Sequence, residues 1–545
     1  MTIQPYTACS FLRLTVLMLL AIPTVAQPPS AALYEQASRN GRLASTGFQR
    51  CTLYLKGWLA EADPATGLIP RNLTDSRHFW NAQDAAADNY PFMVMTSSIL
   101  QPDLFAGRMQ AMLATEERLT SRIGRLADSY SFTKKGFLNE SIDSSQVIFG
   151  SAEYMKDGLI PLTEWLGPDS PWCRRMEGIL DDLLPLFPIP IHLTGYFFGN
   201  SADVEVNGDM LQVLNRMYWI TRKQKYLDVA MALGDYYLND KRRLTQASTR
   251  LRMRDHGCEI IAGLSEVYAT MHVLNPAKKE QWQPYMTELL DLILAKGRNA
   301  DGLFYNEINP STGQILDPAL ADTWGYLLNA CYTVYLTDGR TDYRDAVVKA
   351  LQSLNQRYRN YAWEGPSSDG YADSIEGALN LILREKSPAA ADWIDSEIQV
   401  MWAKQQPSGV IEGWHGDGNF ARTTLMYCLW KTAGTWLTTW KESVRVGAVR
   451  ADKSLYINVD TDEDWAGTLC FSPAFHRDFM HLPLNYPRIN QFQEWYPIEG
   501  KKRYKLTNAK TKKVVTVSGQ HLLDGYPIRL QKGETLQLAI TANSL

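Results

Sequence analysis

From residue 31 to about residue 440 the chain repeats apolar positions at i, i+3, i+4 and i+7, the spacing that lines one face of an α-helix. Two kinds of helix alternate. One kind is amphipathic and charged, over 104–126, 226–240, 284–296, 342–358 and 389–404. The other is nearly apolar all round and opens on polar or acidic residues, over 88–100, 144–165, 207–220, 255–272, 322–336, 373–383 and 419–437. A helix that is apolar on every face must be buried on every face. Buried and half-exposed helices in alternation therefore predict two concentric rings. The later buried helices start at 207, 255, 322, 373 and 419, steps of 48, 67, 51 and 46 residues, enough for one helical hairpin and its loops. Asp255 with Val267-Tyr268 recurs in register as Asp322 with Val334-Tyr335. The predicted fold is mainly α, an (α/α) toroid of six or seven hairpins.

After about residue 440 the pattern changes to short β-branched runs at 444–446, 455–459, 513–517 and 535–540, with turn signals such as Asp524-Gly525 and Lys532-Gly533 between them. These predict a C-terminal antiparallel β-sandwich over 441–545, and 471–496 reads as a long irregular connection that reaches back to the toroid. At the other end, Arg13 precedes an apolar run over 14–25, and Thr24-Val25-Ala26 has the form of a cleavage site. Residues 1–26 are expected to be a signal peptide and 27–440 the toroid catalytic domain of an exported protein, periplasmic or secreted. No later stretch is long enough to span a membrane.

Composition narrows the function. With 45% hydrophobic residues in a chain of 545, a large core can form. A formal charge of −4 without a basic tract argues against nucleic acid or an anionic membrane as the main partner. Nothing in the sequence sets the oligomeric state. Six of the seven cysteines follow the signal segment, none in a C-x-x-C pair, and Cys258, Cys331 and Cys428 fall in apolar helical patterns. Buried thiols are the favoured expectation; a disulfide in an oxidising compartment is the alternative, and its pairing is not readable from the sequence. No H-E-x-x-H occurs and the eight histidines are scattered, so neither a metal nor another cofactor is expected.

Candidate chemistry collects where the buried helices begin. The stretch Gly413-Trp414-His415-Gly416-Asp417-Gly418-Asn419-Phe420-Ala421-Arg422 packs an indole, an imidazole, a carboxylate, an amide and a guanidinium into a glycine-loosened loop that runs into a helix. Other buried helices begin near Asp88, Asp255, Asp322 and Asp373, with Glu376 a turn beyond the last. A lone Asp at such a place is an ordinary helix cap; four of them, each beside an aromatic or a histidine, suggest a funnel lined with acids. Glycoside hydrolysis needs one carboxylic acid and one carboxylate, and different surroundings can set their proton affinities apart. Asp88, Asp255, Asp322 and Asp373 are the candidate catalytic residues, and the sequence leaves open which two act. Tyr90, Trp324, Tyr326, Tyr371 and Trp414 offer ring faces to a sugar. Arg422, His415 and His256 suit a substrate carboxylate, which points to a uronic acid. Glu376, Asp417 and Asn419 complete the binding set.

The junctions Asp301-Gly302-Leu303-Phe304-Tyr305 and Asp322-Thr323-Trp324-Gly325-Tyr326, with the hairpin rhythm, resemble those of (α/α)-toroid carbohydrate-active enzymes. They are similar to the unsaturated glucuronyl hydrolases and the β-glucuronidases of glycoside hydrolase family 154. The resemblance implies a uronidase-like hydrolase, inverting or retaining, with an Asp pair and a carbohydrate substrate. Two other readings compete. A polysaccharide lyase would abstract a proton beside a uronate, with His415, Asn419, Arg422 and Tyr427, or Asn207 and His256, as its set. A non-catalytic glycan-binding protein would hold sugar without turnover.

Overall fold

The computed structural model describes residues 30–186, 202–254, 256–365 and 367–543. The signal segment and Asp255 lie outside the described residues. Among the described residues, seven outer and seven inner helices follow one another in alternation. In chain order they are α1 (Ser30–Glu61) and α2 (82–100), α3 (102–120) and α4 (144–166), α5 (Pro171–Leu183) and α6 (Ala202–Thr221), α7 (Gln224–Tyr237) and α8 (Cys258–Leu274), α9 (Pro276–Lys296) and α10 (Trp324–Asp338), α11 (Thr341–Arg357) and α12 (Asp369–Ile382), and α13 (Pro388–Trp402) and α14 (Asn419–Lys431). α2, α3 and α4 each contain one wider turn, at Ala82–Asn89, Phe105–Met109 and Tyr154–Leu159.

The even-numbered helices pack on one another in the order α2, α4, α6, α8, α10, α12, α14 and back to α2, which closes a ring. Their burial explains their composition: every residue of α8 from Cys258 to Met271 is buried, as is every residue of α12 from Ser374 to Ile382. The odd-numbered helices cover this ring, and α1 closes it against α14. Short links join each inner helix to the next outer one. Several of these outer helices start with a Ser or Asn cap and a proline, as at Ser170-Pro171, Asn275-Pro276 and Ser387-Pro388, a pairing suited to a tight entry. The longer links run from outer to inner helices, so all inner N-termini open on the same end of the ring. α8, α10, α12 and α14 begin there without a side-chain cap. The predicted boundaries shift at both ends of this set. α12 starts four residues before Asp373, and α14 stops at Lys431 instead of 437, because Ala433 and Gly434 take left-handed backbone (φ 48° and 78°) and lead into a strand.

The C-terminal region forms two antiparallel sheets. One has five strands in the order Val444–Ala451, Ser454–Thr461, Thr535–Ala542, Arg503–Asn508, Val514–Ser518. The other has three, Tyr526–Leu530, Trp465–Phe471 and Thr435–Thr438. The outer helix α1 lies directly on the Val444–Ala451 strand, and a Cβ at Gly447 would sit 2.2 Å from the Gly41 nitrogen, so the approach depends on glycine. Between Phe471 and Arg503 the chain leaves the sheets and enters the axis of the ring. There Tyr486 contacts α6 and α8 through Asn215 (2.9 Å) and Glu266 (3.3 Å), Arg488 reaches Glu164 of α4 (3.4 Å), and Asn490 reaches Glu376 of α12 with its backbone N–H (2.6 Å). This insertion is the floor of the funnel. Cys51, Cys173, Cys258, Cys331 and Cys428 are buried free thiols and Cys470 is half-buried. No helix of the described residues is long and apolar enough to cross a membrane.

Candidate active site

The site is built at the N-terminus of α14. The loop before it is pinned to the chain ahead of α2: the Gly416 N–H donates to the Arg71 carbonyl (2.6 Å), Asn72 Nδ2 to the Trp414 carbonyl (3.0 Å), and the Leu73 N–H to the Glu412 carboxylate (2.7 Å). The loop then touches α2 itself. A Cβ at Gly418 would lie 2.2 Å from the Asp88 carbonyl oxygen and 2.8 Å from the Asn89 Cα, so only glycine lets the two backbones meet. This contact brings the His415 ring beside the acids of α2, with Nε2 3.8 Å from Asp88 and 4.0 Å from Asp84. Nδ1 faces the Gly416 carbonyl at 3.0 Å. Burial disfavours the imidazolium, but Asp84, Asp88, the Gly416 carbonyl and Asp369 together outweigh it and raise the pKa to about 9. His415 is therefore a cation at neutral pH, set among Asp84, Asp88 and Asp369.

The acids around it hold protons to different degrees. Burial pushes the Asp88 carboxyl well above the usual range; His415 opposes this, while Asp157, Asp369 and Asp84 add to it. Asp369, on the first turn of α12, rises to about 6 through burial and the nearby Asp417, against His415, Arg422 and an amide hydrogen bond from Asn419 (2.8 Å). One turn on, Asp373 rises to about 7 through burial and Asp369. Beneath it Glu376, fully buried, also reaches about 7, chiefly through burial.

Arg422 ties these groups together from below. Its Nη2 is 2.6 Å from Asp373, its Nε 2.9 Å from Glu376, and its Nη1 donates to Asn419 (2.8 Å) and to Asn490 of the axial insertion (2.9 Å). The Tyr326 hydroxyl donates to Asp373 and Glu376 at 3.0 and 2.9 Å. Asn490 Nδ2 donates to Asp157 of α4 (2.8 Å), whose other neighbour Lys156 bridges to Glu259 of α8 (2.6 Å).

The structure thus brings Asp88, Asp373, Glu376, His415, Asp417, Asn419 and Arg422 together, with exposed Trp414 on the rim over Arg71 (4.9 Å). Asp88 and Asp373 do not cap their helices but lie inside α2 and α12, whereas Asp417, just ahead of α14, accepts from the Phe420 N–H. Asp322 is buried just before α10 and accepts the Thr323 N–H (2.9 Å). His256 pairs with Glu205 at the entry to α8. Three aromatic candidates belong to the core. Tyr90 donates to the Met109 carbonyl (2.8 Å) and accepts from Trp172 (2.9 Å); Trp324, fully buried, donates to Ser374 (2.7 Å); Tyr371 packs under Lys404 next to the outer ring. In each case the ring points between helices, where apolar area is best buried. Arg422 is enclosed by its own partners and does not present a free fork to a substrate carboxylate. Tyr427 donates to Asp395 of the outer helix α13 (2.8 Å), so the lyase set that includes it is not assembled.

The residues that sequence reading missed carry a shared signal. Acids four apart recur at the funnel end of α2 (Asp84, Asp88), α4 (Glu153, Asp157), α6 (Glu205, Asp209) and α12 (Asp369, Asp373), and in the sequence at Asp255 and Glu259. Like charges at this spacing disfavour an isolated helix, so the repetition itself marks a site. Asn490 has no such mark. Among the described residues two groups could hold a cation, Asp84 with Asp88 and His415, and Glu153 with Glu205 and His256; in each the ligand atoms lie within 4.8 Å of one another. The expectation of no metal rested on the lack of H-E-x-x-H and on the scattered histidines; each of these groups joins a histidine to acids distant in the chain.

No family model and no curated protein matches this chain. Among solved structures, the α-1,6-mannanase of Salegentibacter sp. HEL1_6 is similar at 13% identity and a TM-score of 0.38, over 53% of this chain and 89% of that one. A family 76 glycoside hydrolase (mannosidase) from Bacteroides thetaiotaomicron VPI-5482 is similar at 13% and 0.37, over 70% and 98%. The cellobiose 2-epimerase of Bacillus thermoamylovorans B4167 is similar at 12% and 0.38, over 52% and 87%. What the site can do follows from its own side chains.

Proposed function

We propose that this chain is an exported glycoside hydrolase whose acid and base are Asp88 and Asp369. The observation that carries the reading is the placement of these two carboxyls on α2 and α12, either side of the α14 N-terminus, in surroundings that separate their proton affinities. Asp88, pushed well above the usual carboxylate range by burial, is the readier proton holder of the two and can deliver a proton to the departing glycosidic oxygen. Asp369, near 6 and held by Asn419, is ionised at neutral pH. It can activate water or attack the anomeric carbon. His415, charged between them, keeps both from rising further. Trp414 offers its open face to a sugar ring at the rim.

The substrate in this reading is a neutral glycan in preference to a uronate. Arg422 is enclosed, Lys156 is bound by Asp157 and Glu259, and acids outnumber cations in the funnel, so a substrate carboxylate would meet like charge. The test is digestion of neutral and uronic-acid polysaccharides, followed together by reducing-end release and ultraviolet absorbance. New reducing ends without the absorbance of an unsaturated uronate are expected. Asp88→Asn and Asp369→Asn should each lower kcat by about 10²–10⁴. Rising absorbance, or full activity in either variant, refutes the assignment; cleavage confined to uronic-acid polymers refutes the neutral substrate.

A further inference from the structure

Across the ring from α14, a second group of acids gathers on three inner helices. Glu153 of α4, Glu205 of α6 and His256 at the entry to α8 bring potential ligand atoms within 4.8 Å of one another. Glu205 is in contact with His256 Nδ1. Asp209 lies one turn beyond Glu205 on the same face of α6 and turns into the same place, where Glu153, Glu205 and Glu259 all surround it. It is fully buried, and no N–H or hydroxyl among the described residues donates to either of its carboxylate oxygens. The group that faces it directly is another carboxyl, that of Glu153. The nearby Lys156 offsets part of this charge, but its ammonium is bound directly by Asp157 at 2.8 Å and Glu259 at 2.6 Å.

A buried carboxyl whose close hydrogen-bonding partner is another carboxyl, with Glu205 beside both, calls for positive charge. We propose that Glu153, Glu205, Asp209 and His256 form a binding site for one divalent first-row metal ion, of the Mn²⁺ or Zn²⁺ kind. Three carboxylates and an imidazole match the mixed oxygen and nitrogen preference of these ions, whereas Ca²⁺ and Mg²⁺ favour oxygen alone. The His256 side chain is 29% exposed, which leaves the funnel side of the group open to water or a sugar hydroxyl as a further ligand. An ion there would fasten the funnel ends of α4, α6 and α8. The site shares no residue with the acid pair, so either assignment can fail alone.

The test is calorimetric titration of the full chain, stripped with EDTA and dialysed, with Mn²⁺ and Zn²⁺ and with Ca²⁺ as comparator; Mn²⁺ binding is read also by electron paramagnetic resonance. One equivalent of Mn²⁺ or Zn²⁺ is expected, with binding weakened at least about tenfold by Asp209→Asn and by His256→Ala. Thermal unfolding of the wild type needs no variant, and its Tm should rise on refilling. Absence of binding at millimolar metal overturns the proposal. So does tighter binding of Ca²⁺ than of Mn²⁺ and Zn²⁺, or binding that survives both substitutions and is lost in His415→Ala, which would place the ion at Asp84 and Asp88.

Discussion

Arg422 carries the sharpest prediction, because it holds two buried acids and also reaches Asn419 and Asn490 of the floor. Arg422→Met removes the contacts to Asp373 (2.6 Å), Glu376 (2.9 Å), Asn419 (2.8 Å) and Asn490 (2.9 Å) while keeping a comparable apolar stem. At pH 8 both acids, with pKa values of about 7, are mostly ionised in the wild type. Without the guanidinium they become unpaired buried charges, at a cost of about 3–5 kcal/mol. At pH 5 both are already neutral, and the loss reduces to unmet hydrogen bonds, about 1–3 kcal/mol. The sign follows from linkage. Both folded pKa values lie above the ordinary carboxylate range and would rise further in the variant, so the two proteins lose stability in parallel up to the wild-type value of about 7, and the variant's deficit grows as pH climbs above it. The assay is urea unfolding followed by tryptophan fluorescence for wild type and variant at pH 5 and pH 8. A larger deficit at pH 8, by about 2 kcal/mol, is expected. A second change, Glu376→Leu in the Arg422→Met background, should restore part of the pH 8 stability. A deficit equal at the two pH values, or below about 1 kcal/mol at both, would show that the charge on Arg422 is not what holds this region together.

Two further outcomes follow from the α14 loop. His415→Gln removes the cation that lowers Asp369, so the acidic limb of the kcat/KM profile, expected near pH 6 in the wild type, should move to higher pH; a limb that stays in place separates His415 from the base. Gly418→Ala puts a Cβ 2.2 Å from the Asp88 carbonyl oxygen, a backbone atom that cannot swing aside. It should cost about 1–3 kcal/mol in urea unfolding and depress activity as the loop lifts His415 away from Asp88; an active variant of wild-type stability would refute the close seating.

The period of apolar residues sufficed for the rings. Helices such as α8, apolar on every face, can lie only inside others, and the spacing of their starts repeats one hairpin at a time. The same reading located the loop from Gly413 to Arg422, because glycines beside charged and aromatic side chains at a helix entry are legible without any fold. It also indicated that the chain after Phe471 returns to the toroid. Tertiary structure alone decided which side chains meet. Asp88 and Asp369 are 281 positions apart and become neighbours only because the ring closes from α14 onto α2. Periodicity places a residue on a helix but does not fix the rotation of that helix in the ring, so Tyr90, Trp324 and Tyr371 turned into the core while Asp84 and Asp369, one turn before the predicted acids, faced the funnel. Arg422 was visible as a cation, yet its partners Asp373 and Glu376 come from α12 and Asn490 from the axial insertion. Whether a guanidinium serves the substrate or the fold depends on which acids the packing sets beside it, and that is a property of distance in space, not of spacing along the chain.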